Sequence, residues 1–284
     1  MGFSVNTNVG AMAALQNLSS TTSQLSTTQN RINTGLKVAS TKDDSASYAI
    51  AQKLRGDMGG LSAVSSSLSR AKSVVDVATA GAEQISDIVN QMKEKAYEAS
   101  DAGVDADSRT AINKDFVALR DQITTIVNAS DFNGTNLLKA SGGGSVSALQ
   151  SLQDGVAGGT WNPDSLTVAN QGLDLGGSVI TVGAAGDVSS QPNAQTMVDT
   201  LTTTQKNLAT VLGTLGSASR KIDAQSSFTS KLSDTIEGGI GNLVDADLAK
   251  ESAKLQALQV KQQLGVQALS IANQAPQTIT SLFR

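Results

Sequence analysis

Ser69 and Lys72 stand in "SRAK" at the S-x-x-K spacing, in which a lysine amine takes the proton of a serine nucleophile. The companion S-D-N and K-T-G motifs are absent, and both residues fall within a regular helical repeat, so a plain helix is expected here. Asp245, Asp247 and Glu251 open like a calcium loop. The glycine at its sixth position and the glutamate at its twelfth are missing, which leaves negative charge at a helix start. Gly239-Ile240-Gly241 follows no strand and opens no βαβ unit, and no G-K-[ST] occurs, so neither nucleotide-binding loop is expected. The chain has no His and no Cys, hence neither the commonest general base nor a thiolate. Asn17, Asn128 and Asn133 head N-x-[ST] sequons, unsurprising in a chain so rich in Ser and Thr. The expectation is a protein that is not an enzyme and holds no cofactor and no metal.

The elements that would position such residues are better marked than the residues. Among 284 residues, aromatics make up 3%, charged residues 16%, and there are 3 Pro. Large side chains dominate the burial energy of a thick core, so this composition suits long helices closely packed through Ala. Acidic and basic residues are interspersed at a net charge of −4, with no basic run between aromatics, and no nucleic-acid partner is expected. No window approaches the ~18 apolar residues of a membrane span. The opening "MGFSVNTNVGAMAALQNL" lacks a basic, apolar leader, so export without a cleaved signal, or a cytoplasmic location, is expected.

Four segments carry a 3-4 apolar repeat. The first threads Ala11, Leu15, Leu18, Thr22, Leu25, Gln29, Ile32 and Leu36. The second is the most regular: Leu61, Val64, Leu68, Ala71, Val75, Ala78, Ala82, Ile85, Val89, Met92, Ala96 and Ala99. The third runs Ile112, Phe116, Leu119, Ile123 and Ile126. The fourth starts near Met197, passes Leu201, Leu208, Val211, Leu215, Ala218, Ile222, Leu232, Ile236 and Leu243, and continues as Leu255, Leu258, Gln262, Leu269, Ala272, Ile279 and Phe283. Such spacing held over many turns predicts coiled-coil-like packing, with Thr22, Gln29 and Gln262 as polar seam positions that set register. In "STKDDS", Ser40 with Asp43 and Thr41 with Asp44 have capping-box spacing, predicting a helix through Ala46, Ile50 and Leu54 that Gly59-Gly60 would stop. Asn133-Gly134 predicts a tight turn, and "SLTVANQGLDLGGSVITVG" a small antiparallel element. The plan is three helices, a small β insert and a long helix, with the two ends free to pair.

For residues 61–129 the repeat reads as a core stripe. For 4–38 and 245–284 it does not suffice, because two paired helices bury one stripe each and no third long segment is left to cover their other faces. A membrane-surface helix would carry Lys/Arg on its polar face and Trp or Phe at the boundary. These ends present Gln, Asn, Ser and Thr instead. Self-assembly is the stronger expectation, with no membrane insertion.

Four stretches then resemble one family. Val5-Asn6-Thr7-Asn8 before the Leu15/Leu18 helix, "RINTGLKVASTKDDSASYAIAQKLR" (31–55), "DFNGTNLL" (131–138) and "LSIANQAPQTITSLFR" (269–284) are similar to bacterial flagellins, in the family's order. The resemblance implies a mainly α fold: a rod of long helices in a coiled-coil bundle, terminal helices paired, and a small β insertion in the middle. It implies an inner coiled coil from 1–40 and 244–284, a rod from 41–140 and 196–243, and a small outer Gly/Ser-rich insertion at 141–195. The implied function is the subunit of the flagellar filament. A hook-associated junction protein of the same superfamily and, from another class, a secreted membrane-active translocator are the alternatives.

The same resemblance implies as assembly residues Leu15, Leu18, Leu25, Ile32, Leu255, Leu258, Leu269, Ile279, Leu282, Phe283 and Arg284. Its implied partners are further copies of the chain, an export chaperone and the flagellar export apparatus, and the filament cap and hook–filament junction proteins. Family members that stimulate the vertebrate flagellin receptor generally carry Gln-Arg on the first rod helix, with a Leu four residues after the Arg. Here Asn90, Gln91 and Lys95 occupy those places and Asp115 the acidic one on the next helix, so weak receptor activation is expected.

Overall fold

A computed structural model describes residues 7–154 and 163–281. Its elements in chain order are α1 (Val9–Thr34), α2 (Ser45–Ser100), α3 (Ala106–Ala129), β1 (Val146–Asp154), β2 (Pro163–Val168), α4 (Gln191–Val244) and α5 (Leu248–Ser281). The protein is mainly helical, as expected, and the chain divides into two compact units. One comprises Met1–Gly56 and Thr235–Arg284, the other Asp57–Asp234.

In the second unit the apolar repeat is a core. All twelve seam residues of α2 from Leu61 to Ala99 are buried. Eleven of them, from Val64 onward, pack in one cluster with Phe116 and Ile123 of α3 and with Leu201, Leu208, Leu215 and Ile222 of α4. Asp105 starts α3 by accepting the Ser108 N–H at 2.9 Å. Its carboxyl lies below the usual carboxylate range because the backbone N–H and then the hydroxyl of Ser108 bond to it.

Gly59-Gly60 do not stop a helix: α2 runs through them. A Cβ on Gly60 would lie 2.6 Å from Leu152 Cδ2, so this glycine admits the hairpin to the helix surface. Gly81 likewise admits the loop after α3; its Cβ would run into Ser130 Oγ and lie 2.9 Å from Leu138 Cδ1.

The "DFNGTNLL" stretch forms the predicted tight turn, with Asn133 at φ 52° and Gly134 at φ 79° and a bridge between Phe132 and Thr135. Buried Asn136 then ties the loop together. Its amide donates to the Val127 carbonyl at 2.6 Å, and its Oδ1 accepts the N–H groups of Leu138 and Lys139.

β1 and β2 pair antiparallel from Val146↔Val168 to Leu149↔Ser165, with an irregularity before Asp154↔Pro163. Helices hold the hairpin by polar contacts: the Leu149 N–H donates to Ser67 Oγ of α2, and Gln225 of α4 donates to the Gln150 carbonyl at 2.7 Å. The expected antiparallel element does not extend over 169–190, which forms no strand. That segment buries Leu173, Ile180, Val182 and Val188, and its backbone is satisfied in part by loop backbone, as where Gln171 N–H donates to the Leu137 carbonyl, and in part by side chains. Asn207 donates to the Ser178 and Val179 carbonyls, Thr204 Oγ1 accepts the Thr181 N–H, and Asn113 accepts the Val188 N–H.

Candidate assembly surface of the terminal helices

The first unit is built on α1 and α5. Asn8 caps α1 by accepting the Ala11 N–H at 3.0 Å, and Gly35 ends it in the left-handed conformation at φ 72°. Asp247 opens α5 by accepting the N–H groups of Ala249 and Lys250, the expected helix-start role. The fourth repeat is therefore two helices, broken at 245–247. Asp43 and Asp44 divide the capping between them. Asp44 accepts the N–H groups of Ala46 and Ser47, while Asp43 folds back onto those of Ala39 and Ser40. Hydrogen bonds, first from Ser40 to Asp43 and from Ser47 to Asp44, hold both carboxyls below their ordinary value.

The two helices run antiparallel. Asn8 donates to the Ala272 carbonyl at 2.7 Å, and a Cβ on Gly265 would lie 3.8 Å from Leu18 Cβ. Arg31 Nη1 bonds Glu251 Oε1 at 3.2 Å, and Leu36 bridges Asp245. The partners rise along one helix as they fall along the other. The α5 seam follows as Glu251, Leu255, Leu258, Gln262, Gly265, Leu269 and Ala272, each buried or half-buried. Facing it on α1 are Ala11, Ala14, Leu18, Thr21, Leu25, Thr28 and Ile32.

This seam corrects the sequence expectation by one residue in places. Thr22 and Gln29 are exposed, and the polar seam positions are Thr21 and Thr28 beside them. Thr21 returns its hydroxyl to the Asn17 carbonyl at 2.9 Å, which makes a polar seam residue tolerable. Leu15 is also outside the seam, 56% exposed. Leu18, Leu25, Ile32, Leu255, Leu258 and Leu269 all lie on it. Ile279 belongs to the α5 backbone, and Leu282, Phe283 and Arg284 lie outside the described residues.

Beyond the seam, both helices present exposed apolar side chains. Val9, Met12 and Leu15 on α1 and Leu248, Val260, Leu264, Val266 and Ile271 on α5 are each at least half exposed. No described residue covers them. Exposed large apolar side chains on helices otherwise dressed in Gln, Ser and Thr make this unit the candidate contact surface. Among the described residues no helix is long and apolar enough to cross a membrane.

The residues singled out for chemistry have other duties. Ser69 gives its hydroxyl to the Ser65 carbonyl at 2.9 Å, and Lys72 pairs with Asp223 at 2.8 Å. That hydrogen bond, with Asp76 nearby, holds the Lys72 ammonium above the usual lysine range, the wrong direction for a general base. Gly239-Ile240-Gly241 lies inside α4. Gln91 is exposed on α2, and Lys95 pairs with Glu98 at 2.9 Å. The Glu98 bond, then the charges of Asp115 and Glu94, raises the Lys95 ammonium. Asn90 bonds Gln205 of α4, whose Oε1 also accepts from Lys93 at 2.8 Å.

A chain with a complete helical core in one unit and a paired but half-covered helical hairpin of its two ends in the other is a structural assembly subunit. Residues 5–142 match the family described as the bacterial flagellin N-terminal helical region, and 197–283 the bacterial flagellin C-terminal helical region. The chain is 45% identical over 281 residues to flagellin FljM of Caulobacter vibrioides, covering 99% of this chain and 98% of that one. It is 38% identical over 285 residues to the flagellin of Brucella melitensis, with 99% of both chains covered. A solved protein of Vibrio parahaemolyticus assigned as a flagellar hook-associated protein shares the fold at TM-score 0.56 and 13% identity, over 72% of this chain and all of that one. The chain belongs to the bacterial flagellin family, the self-polymerising structural subunits of the flagellar filament that drives swimming.

Proposed function

We propose that the filament is built by burial of the exposed apolar side chains of α1 and α5 against further copies of the chain. The exposure of Met12, Leu15, Leu264 and Ile271 on a two-helix unit carries this reading. Each such side chain contributes ~1.5–3 kcal/mol when buried. By their place in the sequence repeat, Ile279, Leu282, Phe283 and Arg284 are assigned to assembly as well. The inner coiled coil is drawn from 1–40 and 244–284, the rod from 41–140 and 196–243, and the outward-facing insertion is 141–195. The protein is not an enzyme. It leaves the cell by the flagellar type III route without a cleaved signal, escorted by an export chaperone, and meets the cap and junction proteins in the filament. Neither the junction-protein nor the translocator alternative has an observation in its favour. Seeded polymerisation followed by electron microscopy tests the reading: Leu15→Ser with Leu264→Ser blocks filaments while unfolding of the monomer is unchanged. Normal filaments from that variant would refute it.

The α2 surface at Gln91 and Lys95 is a poor ligand for the vertebrate flagellin receptor on this reading. A neutral amide replaces a cationic fork there, and an ion-paired ammonium replaces an apolar contact. Gln91→Arg with Lys95→Leu raises signalling in a receptor reporter assay about tenfold or more. An unmodified chain that signals as strongly as the variant would contradict this.

A further inference from the structure

Arg31 is the sole charged residue of α1, and Glu251 the sole acidic residue of α5. The structure joins them across the seam at 3.2 Å, with Glu251 buried and Arg31 about two-thirds so. Thr28, one turn before Arg31, is 1% exposed. The satisfaction of this cluster is incomplete: Thr28 Oγ1, Arg31 Nε and Glu251 Oε2 are buried without a protein partner. Burying such groups costs more than a well-packed apolar layer would, so the cluster is a poor source of stability. The remaining seam contacts are weak guides to alignment. Ala11, Ala14, Gly265 and Ala272 are small, and Leu18, Leu25, Leu255, Leu258 and Leu269 are interchangeable in a slipped pairing.

We propose that the Arg31–Glu251 pair, with Thr28, sets the register of α1 against α5. The proposal rests on the reading of these two helices as the assembly element, and adds which residues align them. A slip by one seam position sets Arg31 against Leu255 and carries Glu251 toward Gly35, away from the sole cation of α1. A slip the other way moves Arg31 toward Leu248 and the Asp247 cap, and Glu251 against Thr28. Either displacement strands a charge in the seam. Removing one partner of a buried pair is strongly destabilising, whereas removing both is nearly neutral. The pair therefore discriminates between registers rather than strengthening the correct one. Alignment matters because both helices carry exposed apolar side chains whose relative positions along the hairpin depend on it. One slipped turn moves Leu264 and Ile271 by ~5.4 Å past Met12 and Leu15.

The absence of cysteine from the sequence allows a direct test in the full-length chain. A Cβ on Gly265 would stand 3.8 Å from Leu18 Cβ, within disulfide geometry, so Leu18→Cys with Gly265→Cys reports the native register. Leu18→Cys with Leu269→Cys, and with Gln262→Cys, report one-position slips. With Arg31 and Glu251 present, the native pair cross-links faster than either slipped pair by about tenfold, the partial exposure of Arg31 reducing the effect of a fully buried pair. In Arg31→Met with Glu251→Met, the three rates converge to within about threefold. In the exchanged Arg31→Glu with Glu251→Arg, the bias returns. Retained bias in the methionine variant overturns the proposal. So does loss of every cross-link in that variant, which would make the pair a stabiliser, and so does absence of the native cross-link in the parent. Electron microscopy of the parent is scored separately: native cross-links without filaments would spare the register and remove the assembly reading.

Discussion

The two units use one sequence pattern to different ends. From Leu61 to Ala99 every seam residue of α2 is buried, because α3 and α4 both pack on it. On α1 and α5 the same 3-4 spacing yields a seam that is mostly half-buried, and a further eight apolar side chains stand at least half exposed: Val9, Met12, Leu15, Leu248, Val260, Leu264, Val266 and Ile271. Periodicity states that a helix has an apolar stripe; it does not state how many neighbours cover it. Three layers complete a core. Two leave apolar side chains exposed.

The strongest way to break this contrast is to cut the chain after Ala268. Filament formation is then lost altogether, while chemical denaturation of the second unit keeps its midpoint. Filaments from the truncated chain would show that the end of α5 is dispensable. The converse substitution is Phe116→Ala, at a fully buried side chain of α3. It lowers the unfolding free energy of the second unit by ~3–5 kcal/mol. A loss below ~1 kcal/mol in urea unfolding would mean that this core is looser than its burial indicates.

Glycine substitutions sharpen the comparison at smaller scale. Gly81→Ala drives a methyl into Ser130 and Leu138 and costs ~1–3 kcal/mol in the same measurement. Gly59→Ala meets open space on the same helix and stabilises by ~0.5–1 kcal/mol. Equal effects at the two sites would contradict the close approach at Gly81.

The smallest effect is electrostatic. Hydrogen bonds from Ser189 and Asn193 hold the Asp187 carboxyl below its ordinary value of 3.8. Its folded pKa is depressed, so its stabilising contribution is present above 3.8 and fades as pH falls through the folded value. Asp187→Asn is therefore slightly less stable than the parent near neutral pH, and the two converge in thermal melts below that range. A difference that grows on acidification would reverse the sign of this assignment.

Much of the fold was legible along the chain, since it rests on local rules. The α2 seam, the Asn133-Gly134 turn, the Asp247 cap and the antiparallel pairing of the insertion all follow from spacing or from residues with a conformational preference. Gly59-Gly60 misled because a glycine that ends a helix and one that admits a neighbour are the same letter. Only Leu152 above Gly60 tells them apart. Segment 169–190 misled for a related reason: its apolar alternation suits a strand, but the side chains of Thr204 and Asn207 on distant α4 satisfy part of its backbone.

By itself the sequence determined that the ends are amphipathic helices, that no histidine or cysteine chemistry is available, and that the apolar surface exceeds what two helices can bury. The tertiary structure decided which residues of α1 form the seam, moving it from Thr22 and Gln29 to Thr21 and Thr28. It also decided that the lone charge of α1 meets the lone acid of α5. The physical reason is that a helical repeat specifies a face only to within about one residue, ~100° of rotation, and names no partner. Which of two adjacent positions is buried, and what opposes it across 220 residues of chain, depends on how the second helix lies against the first.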